Sequence, residues 1–140
     1  MRELIKVKFD HIGIFVREIK YGRMELANLI DIFEESEIYH DPLLNVSVQF
    51  CYDRSKICYE LVAPYGDNNP VDGVLKDNGN ILNHVAYKTN KFDEKILQYR
   101  EKGCIPLGPA CQAVAFGGAR VIFFLSPLKF IIELIEEINE

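Results

Sequence analysis

The hydrophobic positions of the chain fall into strand-like and helix-like stretches that begin with a strand. Residues 7–16 are rich in β-branched and aromatic side chains and alternate between faces, with His11, Gly13 and Phe15 on one side. Residues 18–33 instead place their apolar side chains at mixed three- and four-residue spacing. The pattern therefore predicts a strand followed by an amphipathic helix.

Two further apolar runs follow this helix. Residues 46–52 and 57–62 are separated by the polar stretch Asp53 to Lys56, a pattern typical of a β-hairpin. With a short strand near residues 37–40, the first part of the chain has the predicted order β-α-β-β-β.

Residues 64–80 are dense in Gly, Asn and Pro and read as a linker, with a short helix over 71–76. After the linker, the β-α-β-β-β order of the first part of the chain recurs. The predicted elements are a strand at 82–88, a helix at 93–102 ended by Gly103, a short strand near Ile105, and a hairpin of 120–125 with 130–135.

The recurrence has a fixed period. His11 and His84 are 84 − 11 = 73 positions apart, and Glu60 and Glu133 are 133 − 60 = 73 positions apart. A shared period across most of the chain indicates two copies of one structural unit. Pairing the copies about a pseudo-twofold axis would bring two imidazoles and two carboxylates together.

Composition narrows the class of protein. A length of 140 residues suits one well-cored domain or two closely packed half-units, and a formal charge of −5 argues against a nucleic-acid-binding surface. The start of the chain lacks the apolar core of a signal peptide, and no run is long enough to span a membrane. We expect a cytoplasmic protein whose four cysteines are reduced.

The repeated His and Glu residues suggest a metal site. An ionised Glu within an apolar strand is costly to bury without a partner, and a divalent ion would satisfy His11, Glu60, His84 and Glu133 together. Such ligands suit one Zn, Co, Ni, Mn or Fe ion. The alternative is that the histidines are satisfied core residues and that the glutamates lie at exposed strand ends.

Other chemically capable positions give weaker signals. His40 lies in a turn before Pro42 and is expected to be solvated, although it could approach the site. Phe116-Gly117-Gly118 lacks the spacing and the strand-to-helix context of a dinucleotide-binding motif and is expected to form a turn. Cys58 shares the presumed face of Glu60, where an apolar role is expected.

Four motifs resemble the vicinal oxygen chelate superfamily, the group that includes glyoxalase and methylmalonyl-CoA epimerase. Asp10-His11-Ile12-Gly13-Ile14 is similar to its first metal-binding strand. Tyr59-Glu60-Leu61-Val62-Ala63-Pro64 and Asn83-His84-Val85-Ala86-Tyr87 resemble the second and third, and residues 116–121 running to Ile132-Glu133-Leu134 resemble the last hairpin. The resemblance covers nearly the whole chain.

The resemblance implies an α+β fold in which two tandem βαβββ modules form a curved eight-stranded mixed sheet around one divalent metal. Residues 1–140 would be a single domain, with module one at 5–63, a linker at 64–80 and module two at 81–137. His11, Glu60, His84 and Glu133 would hold the metal, and Glu133 would also act as an acid or base. A homodimer is expected, with a small carbonyl or acyl-thioester substrate and no nucleic-acid or membrane partner.

The closest pattern is the epimerase branch, which implies a metal-dependent isomerase that enolises its substrate. The chain departs from this pattern at Asn83, where the family often has a second His, and at residues 42–46, around Leu43 and Leu44, where no carboxylate supplies a second acid or base. The alternatives are a glyoxalase I-type lactoylglutathione lyase and a non-enzymatic binding protein of the antibiotic-resistance type. Arg120 and Lys129 are candidate contacts for an acyl-CoA, or else solvated hairpin charges.

Overall fold

The computed structural model describes residues 5–76 and 81–138. Its fold class is α+β, as the sequence predicts, and its strands form a mixed ten-stranded sheet. The helices are α1 (Ile19–Leu29), α2 (Pro70–Leu75) and α3 (Phe92–Glu101). The strands are β1 (Val7–Phe15), β2 (Ile32–Glu35), β3 (Tyr39–Asp41), β4 (Val46–Asp53), β5 (Cys58–Pro64), β6 (Ile81–Thr89), β7 (Ile105–Pro106), β8 (Cys111–Gln112), β9 (Arg120–Leu125) and β10 (Ile131–Glu136).

The chain comprises two compact units, one of residues 11–83 and one of the residues up to Asp10 together with those from His84 onward. The strand order is β2-β4-β5-β1-β6-β10-β9-β7, with β3 paired to β4 and β8 to β9. The strand pairing within each unit positions the functional side chains.

In the unit of residues 11–83, β1 runs parallel to β5, and β5 runs antiparallel to β4. Glu60 lies opposite Gly13 on one side and Phe50 on the other. Helix α1 covers the other face of these strands, because Tyr59 and Leu61 point away from the Glu60 face. The core under α1 contains Val16, Ile19, Leu26, Cys51, Leu61 and Ala63.

The other unit repeats this arrangement 73 residues later. Strand β6 runs parallel to β10, and β10 runs antiparallel to β9, so that Glu133 lies opposite Ala86 and Phe123. Helix α3 covers the opposite face, over a core of Phe92, Cys104, Ile122, Phe124 and Leu134. Each of these pairings has its counterpart at the same register in the first unit.

The two hairpin turns repeat as well. In the first, the amide of Asp53 donates to the carbonyl of Ile57, and Lys56 adopts a positive φ of 66°. In the second, the amide of Ser126 donates to the carbonyl of Phe130, and Lys129 has a φ of 71°. The copies therefore match even in a backbone conformation that is uncommon for lysine.

Helix α1 is shorter than the sequence predicts. It ends at Leu29, and Ile30 is already extended, with φ of −129° and ψ of 139°. Ile32, at the start of β2, pairs with Asp53 of β4. The helix-like spacing over residues 30–33 was therefore misleading, because pairing with the sheet overrides local periodicity.

The sheet has ten strands rather than eight because the predicted second strand of each module is two short strands. Between β2 and β3, the Ser36 hydroxyl accepts a hydrogen bond from the amide of Phe50 and interrupts the regular ladder. In the second module, Pro106 ends β7 and Pro109 lies before β8, and neither has an amide hydrogen to donate. Both interruptions have a local chemical cause.

A short helix within the linker is confirmed at Pro70–Leu75. The side chain of Asn69 caps it by accepting hydrogen bonds from the amides of Val71 and Asp72. Val71 and Leu75 are fully buried, and the guanidinium of Arg17 donates to the carbonyl of Leu75. Residues 77–80 of the expected linker lie outside the described residues. No helix in the described ranges is long and apolar enough to cross a membrane.

Candidate functional site

The first half of the candidate site is a buried His–Glu pair. His11 on β1 and Glu60 on β5 share a face, since Gly13, two residues after His11, is the direct neighbour of Glu60. The Nε2 atom of His11 lies 3.2 Å from Oε1 of Glu60. His11 is 0% exposed and Glu60 is 5% exposed. The alternative of an exposed strand-end glutamate is therefore wrong for Glu60.

The second half has the same geometry. His84 on β6 and Glu133 on β10 are brought together by the parallel register that places Ala86 beside Glu133. The Nε2 atom of His84 lies 3.1 Å from Oε1 of Glu133, and both residues are 3% exposed. Each copy of the repeat thus buries an imidazole against a carboxylate on the same face of its own strands.

An aromatic ring accompanies each pair. Phe50 meets the His11 imidazole edge to face at a centroid distance of 6.0 Å, and Phe123 meets the His84 imidazole edge to face at 5.3 Å. These phenylalanines were not among the predicted site residues. The sequence could have indicated them, because both are phenylalanine and they are 123 − 50 = 73 positions apart, which is the period of the repeat. Each ring packs against its imidazole and restricts its rotation.

The donor set fits a divalent metal ion. The four residues His11, Glu60, His84 and Glu133 are all buried, and each offers a nitrogen or carboxylate oxygen that could bind a metal ion. With neutral imidazoles, the two buried carboxylates carry two negative charges that burial makes costly. A divalent cation would neutralise them, and mixed imidazole and carboxylate ligands suit first-row transition metals.

The remaining histidine lies away from this cluster. His40 hydrogen-bonds through Nδ1 to the hydroxyl of Ser47 at 2.7 Å and stacks on Tyr65 at 4.8 Å. Ser47 lies three residues from Phe50 on β4, and side chains of a strand alternate, so His40 is on the opposite face from Glu60. His40 is exposed, as expected, but it does not approach the site.

The segment without a carboxylate, residues 42–46, has an acid directly before it. Asp41 is 3% exposed, and its Oδ1 accepts hydrogen bonds from the amides of Leu43 and Leu44, each at 3.0 Å. Leu43 itself is 69% exposed. Asp41 therefore organises the turn between β3 and β4, a structural role that the sequence analysis did not assign.

Arg120 is held in an ion-pair network. Its guanidinium donates two hydrogen bonds to Asp93 at 3.1 and 3.2 Å and binds Glu136 at 2.9 Å, and it lies 4.7 Å from the ring of Phe92. These bonds raise the pKa of Arg120 and lower the pKa of Glu136. The network ties α3 to β9 and β10 through the guanidinium of Arg120.

The glycine pair and Lys129 have structural roles in turns. A single 3-10 turn at Val114–Phe116 is followed by Gly117 and Gly118 at φ of 65° and 87°, where the chain enters β9. The turn predicted for this motif is confirmed. Lys129 occupies the positive-φ position of the second hairpin turn. Cys58, on the Glu60 face, is 6% exposed.

The repeat and its two buried His–Glu pairs define an α+β protein with two copies of one strand module and candidate metal ligands in each. The chain belongs to the Glyoxalase/Bleomycin resistance protein/Dioxygenase superfamily, whose family model matches residues 10–123. Members of this superfamily typically bind a divalent metal, and they include many enzymes and some non-enzymatic proteins. No curated protein is a significant match to the sequence.

Solved structures share the fold at low sequence identity. The hypothetical protein BH1468 from Bacillus halodurans C-125 superposes with a TM-score of 0.81 at 22% identity, covering 96% of each chain. Methylmalonyl-CoA epimerase from Mycobacterium tuberculosis gives 0.76 at 18% identity, over 94% of this chain and 88% of that one. A variant of the Streptomyces coelicolor epimerase in complex with 2-nitronate-propionyl-CoA gives 0.74 at 20%, over 94% and 97%. The predicted superfamily is confirmed by the family match, and the solved structures share its fold.

Proposed function

We propose that this chain is a metal-dependent enzyme that enolises an acyl-thioester substrate, in the manner of a methylmalonyl-CoA epimerase. The observation that supports this most directly is the pair of buried His–Glu contacts, at 3.2 and 3.1 Å, in corresponding positions of the repeat. The epimerases among the structural neighbours add a substrate class to this geometry.

We further propose His11, Glu60, His84 and Glu133 as the ligands of one divalent ion, either Co, Zn, Ni, Mn or Fe. When bound, such an ion supplies Lewis-acid polarisation of a carbonyl oxygen of the substrate. The four side chains hold their donor atoms in a site from which water is largely excluded, because each residue is at most 5% exposed. Phe50 and Phe123 keep the two imidazoles oriented.

Glu133 is the proposed acid or base. A carboxylate has two oxygens, so that one can face the metal while the other accepts the α-proton of the substrate and returns it. Glu133 lies on β10 between Ile131 and Ile135, which share its face of the strand.

The reaction is tested by following the α-proton of methylmalonyl-CoA in deuterium oxide with mass spectrometry. We expect the metal-loaded protein to introduce solvent deuterium, and Glu133→Gln to lower the rate about 10²- to 10⁴-fold, the usual contribution of a positioned acid or base. Glu101→Gln, at the exposed end of α3, is the matched control. Absence of exchange by the metal-loaded wild-type protein would refute the proposal.

Metal binding is tested separately by elemental analysis of the purified protein. We expect about one divalent ion per chain, and we expect His84→Ala to remove it while His40→Ala retains it, since His40 lies on the opposite face.

The same protein samples test the two alternative functions. Lactoylthiol formation from a hemithioacetal would favour the glyoxalase reaction, and tight ligand binding without metal would favour a binding protein.

The expected homodimer, the cytoplasmic location and the single-domain organisation are likewise proposals. The family match over residues 10–123 supports the single domain, because it runs from the first copy of the repeat into the second. Light scattering of the purified protein tests the homodimer through its molar mass. A monomer at micromolar concentration would refute it.

A further inference from the structure

One row of side chains in the unit of residues 11–83 carries polar groups on adjacent strands. Glu34 of β2 lies opposite Tyr52 of β4, and Tyr52 lies opposite Cys58 of β5. Residues directly opposite each other in antiparallel strands point to the same face of a sheet. A carboxyl group, a phenol and a thiol therefore lie side by side on one face.

This row shares its face with the first His–Glu pair. Cys58 precedes Glu60 by two residues on β5 and therefore points the same way. The parallel register of β1 and β5 sets His11 next to Cys58. Tyr52 is a diagonal neighbour of Glu60, and such neighbours have Cα atoms about 7–8 Å apart, a distance that aromatic side chains can bridge. The phenol of Tyr52 is therefore within reach of the pair.

The second copy of the repeat has no polar counterpart for this row. The residues 73 positions after Glu34, Tyr52 and Cys58 are all aliphatic: Leu107, Leu125 and Ile131. The histidine and the glutamate recur in both copies, so the three polar neighbours are specific to the first. Packing of the module does not require them, because the second copy folds in the same way with aliphatic side chains at these places.

Burial along the row singles out Tyr52 as the group that a substrate reaches. His11 is 0% exposed and Cys58 is 6% exposed, whereas Tyr52 is half-buried and Glu34 is exposed. Tyr52 therefore lies between the buried residues of the row and solvent. A tyrosine at such a place can transfer a proton at its Oη atom and recover it from water.

We propose that Tyr52 is a second acid or base of the enolisation, in addition to Glu133. The proposal rests on the proposed function and adds a catalytic residue to it. Inversion of a stereocentre requires one proton to leave the α-carbon and another to reach its opposite face. A single carboxyl group on one face does not achieve both steps.

The proton transfers balance between the two residues. In one direction, the α-proton moves to the Glu133 carboxylate, and the electron pair of the broken C–H bond passes into the enolate. The Oη–H bond of Tyr52 then breaks, and its proton forms the new C–H bond. The carboxyl and phenolate groups return to their starting states by proton exchange with water. In the other direction the two residues exchange roles.

The first test follows the separate 2R and 2S epimers of methylmalonyl-CoA in deuterium oxide. Mass spectrometry measures exchange of the α-proton, and a coupled enzyme that consumes one epimer measures inversion. We expect Tyr52→Phe to lower inversion about 10²- to 10⁴-fold. One epimer should still exchange its α-proton, because Glu133 is intact and can remove a proton and return it to the same face.

The matched control is Tyr59→Phe, which removes a phenol from the opposite face of β5, where its hydroxyl donates to Asp53. It should change neither rate. Inversion by Tyr52→Phe at the wild-type rate would overturn the proposal and leave the proposed function intact. Absence of exchange by the metal-loaded wild-type protein would overturn both.

The second test separates a catalytic role of Tyr52 from a structural one and needs no turnover. Phenylalanine keeps the ring, so Tyr52→Phe should retain the divalent ion in elemental analysis and unfold at the wild-type Tm. Loss of the ion, a lowered Tm, or parallel loss of exchange and inversion would assign Tyr52 to the scaffold and overturn the proposal.

Discussion

Phe123 lies directly opposite Glu133 across the antiparallel β9–β10 ladder, and its ring meets the imidazole of His84 edge to face. Phe50 has the same relationship to Glu60 and His11. In each unit, one aromatic residue therefore contacts the histidine and neighbours the glutamate. Each phenylalanine supports both packing and the orientation of the donors.

Alanine substitutions of the two phenylalanines should distinguish the contribution of each ring to stability from its contribution to metal affinity. Phe50 is 8% exposed, and Phe50→Ala should destabilise the fold by about 3 kcal/mol or more, the usual cost of truncating a buried Phe. Phe123 is only partly buried, so Phe123→Ala should cost less stability while still loosening His84. Denaturant unfolding and metal titration of both variants check this. Unchanged metal affinity in Phe123→Ala would contradict a positioning role for its ring.

Divalent metal should stabilise the folded protein. A ligand that binds only the native state at 100 times its Kd adds about 2.7 kcal/mol to the free energy of unfolding. We expect Tm to rise on adding Zn²⁺ or Co²⁺ and to fall again with a chelator, with Glu60→Gln reducing the rise. Thermal melts monitored by circular dichroism provide the measurement. A metal-induced rise of the same size in His11→Ala would contradict the assigned ligand set.

The Arg120–Glu136 ion pair should make part of the stability depend on pH. Hydrogen bonds from Arg120 lower the pKa of Glu136, so its stabilising contribution is present at neutral pH and is lost as the pH falls through this lowered pKa. Glu136→Gln should therefore cost about 1 kcal/mol at pH 7 in low salt, and the difference from wild type should shrink in acid. Urea unfolding across this pH range measures the change. A difference that stays constant down to about pH 2 would contradict the assignment.

The cysteines should differ in their reactivity. Burial, together with the nearby Glu35 carboxylate, raises the pKa of the Cys51 thiol to about 11, whereas Cys111 is partly exposed at β8. Because the thiolate is the reactive form, iodoacetamide at pH 8 should label Cys111 well before Cys51. Peptide mass spectrometry gives the order of labelling. Early modification of Cys51 in the folded protein would show that α1 opens readily.

The repeat made much of the strand pairing predictable. Residues that recur at a fixed spacing occupy equivalent places in two copies of one unit. His11 and Glu60 form a contact in one copy, and His84 and Glu133 form the same contact in the other. The hairpins and the linker helix were also predicted, because their turn residues and caps act locally. The end of α1 was not, since pairing between Ile32 and Asp53 depends on residues far apart in sequence.

The partners of charged surface residues were also beyond the reach of the sequence. Nothing in the pattern pairs Arg120 with Asp93, which lies 27 positions away at the start of α3. Spatial contacts of this kind follow from the packing of elements and not from periodicity. The contacts of Asp41 are local by comparison, because Asp in a turn commonly accepts hydrogen bonds from amides two or three residues later.

Lys88 has no charged counterpart in the repeat. Subtracting the period gives 88 − 73 = 15, and Phe15 is an apolar residue that is 8% exposed. Ile135 corresponds to Val62, so the neighbouring position stays apolar in both copies. The two copies are therefore nearly identical in their donors and differ four residues beyond the histidine, with an ammonium group in one copy and a phenyl ring in the other. The positive charge at this position belongs to one unit alone, so the repeat is closer in its buried chemistry than in its charge.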